Sequence, residues 1–462
     1  EASDDDLSGA NWSSSDESIA VVDDTGLVTA VAEGTVIITV EVGELTDEIE
    51  LEIQEKETTN NGHSSSGDSN NPKEETKQGS KITTKDRYGN KVVKFEIDTN
   101  KMKEQIEDED SKTISIDAIA QSDTDTISVN MDSELVSEAR KKGKKLEVNI
   151  GNVVIEIEAD AIEVEEGASI EFKIDKLKED KAKEIISKKE SSEFNSISEV
   201  YNFELNVTEG EKTQKLQFNK SITIAVKYNA DEASNPEKIG IYYYNEETEK
   251  WEYVGGRANG DGTIVFTTEH FSKYAVMEYD KQFADVDIAW ANNEIEVLAS
   301  RHIIIGVDDN NFAPNNNITR AEFAKLIVKA LELEGKDNIV AFTDVEANQW
   351  YTEPVEIISS LGIVTGYDGR FNPDDPITRE EMATMVVRAM KHVDSEGEYT
   401  VSDIDFTDKD EISAWAKATV TIAEEKGLIN GTEENKFAPK KTTTRAEAAV
   451  VIYRLLKLLD RI

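Results

Sequence analysis

Thr319-Arg320-Ala321-Glu322 returns as Thr378-Arg379-Glu380-Glu381 and again as Thr444-Arg445-Ala446-Glu447. Threonine three residues ahead of glutamate, at the head of an apolar-periodic run, is a capping box: the hydroxyl bonds the third amide of the helix while the glutamate reaches back to the cap. Counted from each threonine, apolar residues follow at +4, +7, +8, +11 and +12. They are Phe323, Leu326, Ile327, Ala330 and Leu331, then Met382, Met385, Val386, Ala389 and Met390, then Ala448, Val451, Ile452, Leu455 and Leu456. That spacing predicts three helices, each burying one face, with the methionines in the core.

Outward from these boxes, four more features recur in fixed order. Ahead of each box lies Phe-x-Pro (Phe312-Ala313-Pro314, Phe371-Asn372-Pro373, Phe437-Ala438-Pro439), and ahead of that a glycine (Gly306, Gly366, Gly431). Further upstream stand a tryptophan (Trp290, Trp350, Trp415) and a Phe-x-Asp entry ending in Asp285, Asp344 or Asp408. The repeat length is about 60 residues, longer than that of common solenoids. Arg320, Arg379 and Arg445 fall at the first helical position, where the macrodipole disfavours a cation by ~0.3–1 kcal/mol. A guanidinium beside free helix amides suits an anion such as a carboxylate; pairing with a local acid is the alternative. An aromatic face covers the apolar side of a sugar, and a carboxylate accepts from its hydroxyls.

Together these signatures resemble three S-layer homology domains, in residues 281–340, 341–402 and 403–462. The resemblance implies an all-α pseudo-threefold bundle. It also implies non-covalent anchoring to a secondary cell-wall polysaccharide, commonly pyruvylated, of the bacterial envelope. Carried over, Arg320, Arg379 and Arg445 would meet the pyruvate carboxylate. Trp290, Trp350 and Trp415 would lie against sugar, and Asp285, Asp344 and Asp408 would bond hydroxyls or brace the groove. Gly306, Gly366 and Gly431 would leave room for ligand. The first repeat departs from the pattern: Gly362 and Gly427 stand where a left-handed helix cap is expected, whereas that repeat has His302, which should weaken its groove. The second places Glu380 where alanine is usual, close to Arg379, and the third lacks valine after Asp408.

Upstream the periodicity changes to two. Residues 81–280 read as a mostly-β stalk or display domain. It has a Gly151-Asn152 hairpin between Leu146, Val148, Ile150 and Val153, Ile155, Ile157, further strands at Ile127–Met131 and Ile222–Tyr228, and short helices near Ser133–Lys142 and Lys178–Lys188. Residues 55–80 are nearly devoid of apolar side chains and read as a solvated linker, with His63 inside it. In residues 1–54 short alternating strands separated by Asp24-Thr25-Gly26 and Glu33-Gly34 predict a β-sandwich with Trp12 in its core. Trp12-Ser13-Ser14-Ser15-Asp16 and Gly26-Leu27-Val28-Thr29-Ala30 resemble the later part of a bacterial immunoglobulin-like domain (group 2), which implies that the natural chain extends further N-terminally.

The 462 residues include 96 acidic and 51 basic side chains and no cysteine, for a formal net charge of −45. Such acidity argues against nucleic acid, disulfides and thiolate chemistry are excluded, and no apolar run is long enough for a membrane span. Less than a third of the net charge lies in residues 281–462. Gly-x-Ser-x-Gly, His-Glu-x-x-His and phosphate-cradling motifs are missing, and four histidines are scattered. The resulting expectation is a non-catalytic, extracellular protein of the wall or S-layer, without catalytic residues, metal or cofactor. It would bind wall polysaccharide and could self-assemble. The alternatives are an adhesin and an anchored exported hydrolase whose catalytic domain lies upstream.

Overall fold

A computed structural model describes residues 11–16, 18–22, 28–32, 34–42, 45–53, 73–187, 194–210, 212–216, 218–336, 341–399, 401 and 405–462. It divides into two compact units, Glu1–Asn70 and Asn71–Ile462. In the first, Asn11–Ser14, Gly34–Val42 and Leu45–Ile53 form an antiparallel sheet, and Ala20–Val22 pairs with Val28–Ala30. Trp12 packs, partly buried, against the small core of Ala20, Val36 and Ile38, as its aromatic bulk suggested. His63 and most of the expected linker lie outside the described residues.

The second unit begins as a mostly-β region. One sheet runs, in hydrogen-bonded order, Lys250–Gly255, Ile239–Asn245, Lys273–Tyr279, Tyr201–Glu209, Ser169–Lys176, Thr126–Asp132, Lys91–Ile97, Gly79–Lys85 and Glu74–Glu75. The other runs Arg257–Ala258, Thr263–Thr268, Ile222–Lys227, Val153–Glu158, Lys145–Asn149 and Thr113–Asp117. Alternating side chains from both sheets, among them Phe95, Val129 and Phe172 from one and Ile116, Val148 and Ile224 from the other, share one core. The Gly151 hairpin forms as its sequence requires, with Gly151 at φ 96°. Among the described residues three α-helices decorate this region: α1 (Lys103–Glu107), α2 (Ser133–Lys141) and α3 (Glu179–Ser187). Strand Gly79–Lys85 begins inside the stretch expected to be linker.

Beyond Tyr279 the chain turns helical. The helices are α4 (Asn292–Ser300), α5 (Arg320–Leu331), α6 (Thr352–Ser360), α7 (Arg379–Val393), α8 (Lys417–Glu425) and α9 (Arg445–Leu458). All three capping boxes are formed, on Thr319/Glu322, Thr378/Glu381 and Thr444/Glu447. The apolar stripes meet in a single core that includes Phe323, Ile327, Met382, Val386, Ile452 and Leu455. Short backbone contacts then link the repeats in a cycle: Ile318 N–H donates to Thr443 O, Ile377 to Ile318 O, and Thr443 to Ile377 O, at 2.9–3.0 Å.

Candidate functional site

The aspartates fold each repeat onto its own Phe-x-Pro turn. Asp285 accepts from the amides of Phe312 and Ala313, both at 2.7 Å. Asp344 takes those of Phe371 and Asn372, and Asp408 those of Phe437 and Ala438, at 2.7–2.8 Å. The middle residue of each turn is left-handed: Ala313 at φ 57°, Asn372 at 56° and Ala438 at 56°. That conformation costs a non-glycine residue about 1–2 kcal/mol, which two charge-assisted bonds offset. Burial alone would raise the Asp344 carboxyl, but its two amide donors hold it below the ordinary carboxylate range. Of the two roles the sequence suggested for these aspartates, the geometry displays bracing.

The arginines couple one repeat to the next. Nε of Arg320 donates to Phe371 O, that of Arg379 to Phe437 O, and that of Arg445 to Phe312 O, each at 2.8 Å. Each guanidinium lies over the ring of the same phenylalanine, 4.6–5.3 Å from its centroid. Each also faces the capping-box glutamate of that next repeat: Arg320 to Glu381 at 2.6 Å, Arg379 to Glu447 at 3.8 Å, Arg445 to Glu322 at 3.5 Å. The third repeat thus returns to the first and closes the cycle. Burial pulls the Arg379 and Arg445 guanidiniums down, against the neighbouring glutamates.

One expectation needs correction here, that of a guanidinium beside free helix amides. The first two amides of α5 donate to Asp375 O and Pro373 O, those of α7 to Lys441 O and Pro439 O, those of α9 to Asn316 O and Pro314 O. The next repeat's turn fills what would otherwise be an anion site at the helix start. A second correction concerns the glycines. A Cβ on Gly306, Gly366 or Gly431 would come within 2.4–2.8 Å of Phe283, Phe342 or Phe406. The space is taken by the repeat's own phenylalanine rather than left for a ligand.

The tryptophans behave differently. Trp290, Trp350 and Trp415 are 55%, 51% and 54% exposed, whereas every phenylalanine of the repeats is buried. Each stands just ahead of a helix that packs on the capping-box helix of the preceding repeat: α6 on α5, α8 on α7, α4 on α9. The polar groups beside Trp350 and Trp415 differ, and the repeat signature did not single them out. Beside Trp350, the Lys325 ammonium sits 5.4 Å from the indole centroid. Near Trp415, the buried Glu380 carboxylate is taken up by the Ser413 amide and hydroxyl at 3.0 Å and by Lys440, so its charge is neutralised within the protein. The position of Lys325, six residues after Thr319, is Thr384 in the second repeat and Val450 in the third. The signal lay in comparing that one position across repeats, exposed at Lys325 and buried at Thr384 and Val450.

His302 takes the left-handed cap at φ 55°, matching Gly362 at 71° and Gly427 at 68°. Its amide donates to Ala299 O and that of Ile303 to Leu298 O, so the cap forms in full. The reason for histidine lies in the β-rich region. Its ring stacks on Tyr279 at 5.0 Å and 6°, lies 4.9 Å from Tyr253, and faces the Tyr242 hydroxyl 3.2 Å from Nε2. Around it, Arg301 Nε donates to Glu237 O, while Tyr453 and Lys457 both bond the Glu237 carboxylate. Lys238, with only 8% of its side chain exposed, bridges Asp280 and Glu296.

Comparison with known proteins fits this geometry. The S-layer homology domain model matches residues 282–324, 341–383 and 405–449, and the bacterial Ig-like domain (group 2) model matches residues 2–53. The chain carries three S-layer homology domains. Such domains bind cell-wall polysaccharide, and they place the chain outside the cell at the bacterial wall or S-layer. Among the described residues no helix is long and apolar enough to cross a membrane.

An amylopullulanase of Thermoanaerobacterium thermosulfurigenes is 33% identical over 370 residues, 79% of this chain and 19% of that protein. An exoglucanase of Acetivibrio thermocellus is 39% identical over 43% of this chain and 18% of its own length. The surface-layer 125 kDa protein of Lysinibacillus sphaericus is 34% identical over 37% of this chain and 14% of its own. The chain therefore spans a fifth or less of these relatives. The amylopullulanase match is longer than the three domains and takes in β-rich sequence as well. This overturns the expectation of a non-catalytic protein: a protein named for glycoside hydrolysis shares most of this chain, and a second shares 43% of it.

Proposed function

We propose that this chain is the wall-attachment region of an exported glycoside hydrolase. Its repeats, arranged as a pseudo-threefold bundle, hold the enzyme on a secondary cell-wall polysaccharide whose acidic groups include ketal-linked pyruvate. The β-rich region and the Ig-like domain serve as the displayed stalk between wall and catalytic module. The domain limits are those drawn from the sequence, with the repeats at 281–340, 341–402 and 403–462.

The observation that carries this reading is the set of half-exposed tryptophans at equivalent places in the three repeats. An indole left in water at three related clefts costs apolar exposure, which stacking on the C–H face of a sugar would relieve. The arginines, aspartates and glycines build the cleft walls, with only an edge of each guanidinium turned to the glycan. The Trp350 cleft, with Lys325 beside it, suits an anionic sugar best.

Trp290→Ala, Trp350→Ala and Trp415→Ala combined should abolish sedimentation with purified walls while leaving the circular dichroism spectrum unchanged. Undiminished sedimentation overturns the site. The hydrolase part of the reading is tested by the full reading frame: a glycoside hydrolase module in it supports the proposal, and a frame without one defeats it.

A further inference from the structure

Where the β-rich region meets the repeats lies an open pocket of about 710 Å³, away from the tryptophan clefts. Its walls come from strands Lys250–Gly255, Arg257–Ala258 and Thr263–Thr268, the end of α4, and helices α5 and α9. Four cations line it: Arg257, Arg301, Lys329 and Arg461. Two acids, Glu332 and Glu334, also reach it.

In a chain with 96 acidic residues, a cation normally finds a carboxylate. Among the described residues none of these four forms a close ion pair, although Arg301 acts on the Glu237 carboxylate at longer range. Arg301, only 5% exposed, spends its Nε on Glu237 O at 2.8 Å and a terminal nitrogen on Gly256 O at 3.4 Å. Arg461 donates to Leu331 O at 3.0 Å. Arg257 and Lys329 have neither hydrogen-bond nor ion-pair partners among the described residues. Charges gathered this way repel one another and are stabilised by an anion entering between them. The remaining wall is apolar and aromatic, with Tyr253, Val254 and Phe266 among its residues. The volume falls within the range of small-ligand sites and is far larger than a free inorganic anion needs.

From these observations we propose that the junction pocket binds an acidic oligosaccharide. Arg257 and Lys329 take its carboxylate, Arg301 supplies fixed positive charge from below, and the apolar side of the pocket at Val254, Val265 and Ile303 covers an apolar sugar face. Bound there, the saccharide would bridge the β-rich region to α5 and α9 and clamp the stalk onto the bundle. The choice of a saccharide over other carboxylates rests on the wall-attachment reading, whereas the pocket itself is independent of the tryptophan clefts.

The test is calorimetric titration of the full chain with trigalacturonate, with cellotriose and inorganic phosphate as comparisons. Trigalacturonate should bind, Arg257→Ala combined with Lys329→Ala should weaken it by about tenfold or more, and cellotriose and phosphate should bind far more weakly. The titrations are repeated in the triple tryptophan variant, where trigalacturonate binding that remains belongs to the junction pocket, so that failure of the tryptophan assignment and failure of this one are read separately. Both substituted side chains are at the surface, and an unchanged melting temperature confirms the double variant's fold. No trigalacturonate binding by the parent, undiminished binding by the double variant, or equal binding of cellotriose overturns the proposal. Phosphate binding as tight as trigalacturonate's removes the saccharide.

Discussion

Arg379→Leu is expected to lower the melting temperature of the repeats by roughly 5–15 °C, corresponding to about 2–4 kcal/mol. The guanidinium is 5% exposed and satisfies two carbonyls of the third repeat, Phe437 O and Asn430 O, each at 2.8 Å. It also faces Glu447, itself engaged in the capping box of α9. Leucine fills much of the volume but leaves two carbonyls without their donor, and stranded buried polar groups set the cost, while Glu447 keeps the Thr444 amide and Lys441 as donors. Because the coupling is cyclic, loosening the second repeat from the third also weakens closure onto the first. Arg370→Leu is the control: that side chain is 62% exposed, and its loss should move the midpoint by a degree or two at most. Equal midpoints for Arg379→Leu and the parent would show that the arginine does not couple the repeats.

His302 should make the packing of the β-rich region against the repeats pH-dependent. Burial among the tyrosines, with the Lys329 charge a smaller contribution, lowers its pKa from 6.5 to about 4. The groups around it are the hydroxyls of Tyr242, Tyr253 and Tyr279, the Lys329 ammonium and the Arg301 guanidinium. Burial raises the pKa of Tyr242 and Tyr253, so both stay neutral through this range. Since the folded-state pKa is the lower, the unfolded chain takes up the proton first as pH falls. The neutral ring's contribution is complete above about pH 6.5, is lost between there and about pH 4, and changes no further below. It amounts to roughly 3 kcal/mol. Asparagine tolerates the left-handed cap and does not titrate. The stability difference between the parent and His302→Asn, followed by denaturant unfolding, should therefore shift against the parent from pH 7 to pH 4. A constant difference would mean that His302 titrates normally.

The extent to which the sequence was legible follows the range of the interactions. Capping boxes, apolar stripes and the Gly151 hairpin depend on residues a few positions apart, and each could be read directly. The arginines were legible as anomalies but not as couplers. Arg320 meets Phe371, 51 residues on, and Arg445 meets Phe312, 133 residues back, so nothing in the local pattern names those partners. The same holds in part for Gly306, Gly366 and Gly431, where a phenylalanine at the start of the repeat, together with nearby carbonyls at the first two, leaves no room for a side chain. His302 read as a flaw in a glycine position because the tyrosines that hold it belong to the preceding region. The parallel pairings, such as Lys91–Ile97 with Thr126–Asp132, likewise escape a pattern that only reports alternation. Composition was a poor guide to catalysis, because the absence of motifs in one region says nothing of the longer proteins that share it.

The central claim is that the repeats hold the chain to the wall through its polysaccharide. Co-sedimentation of the intact chain with purified walls, before and after chemical removal of the polysaccharide, tests it most directly. The chain should pellet with intact walls and remain in solution with stripped walls. Equal pelleting with both would contradict the claim and move the attachment to another wall component.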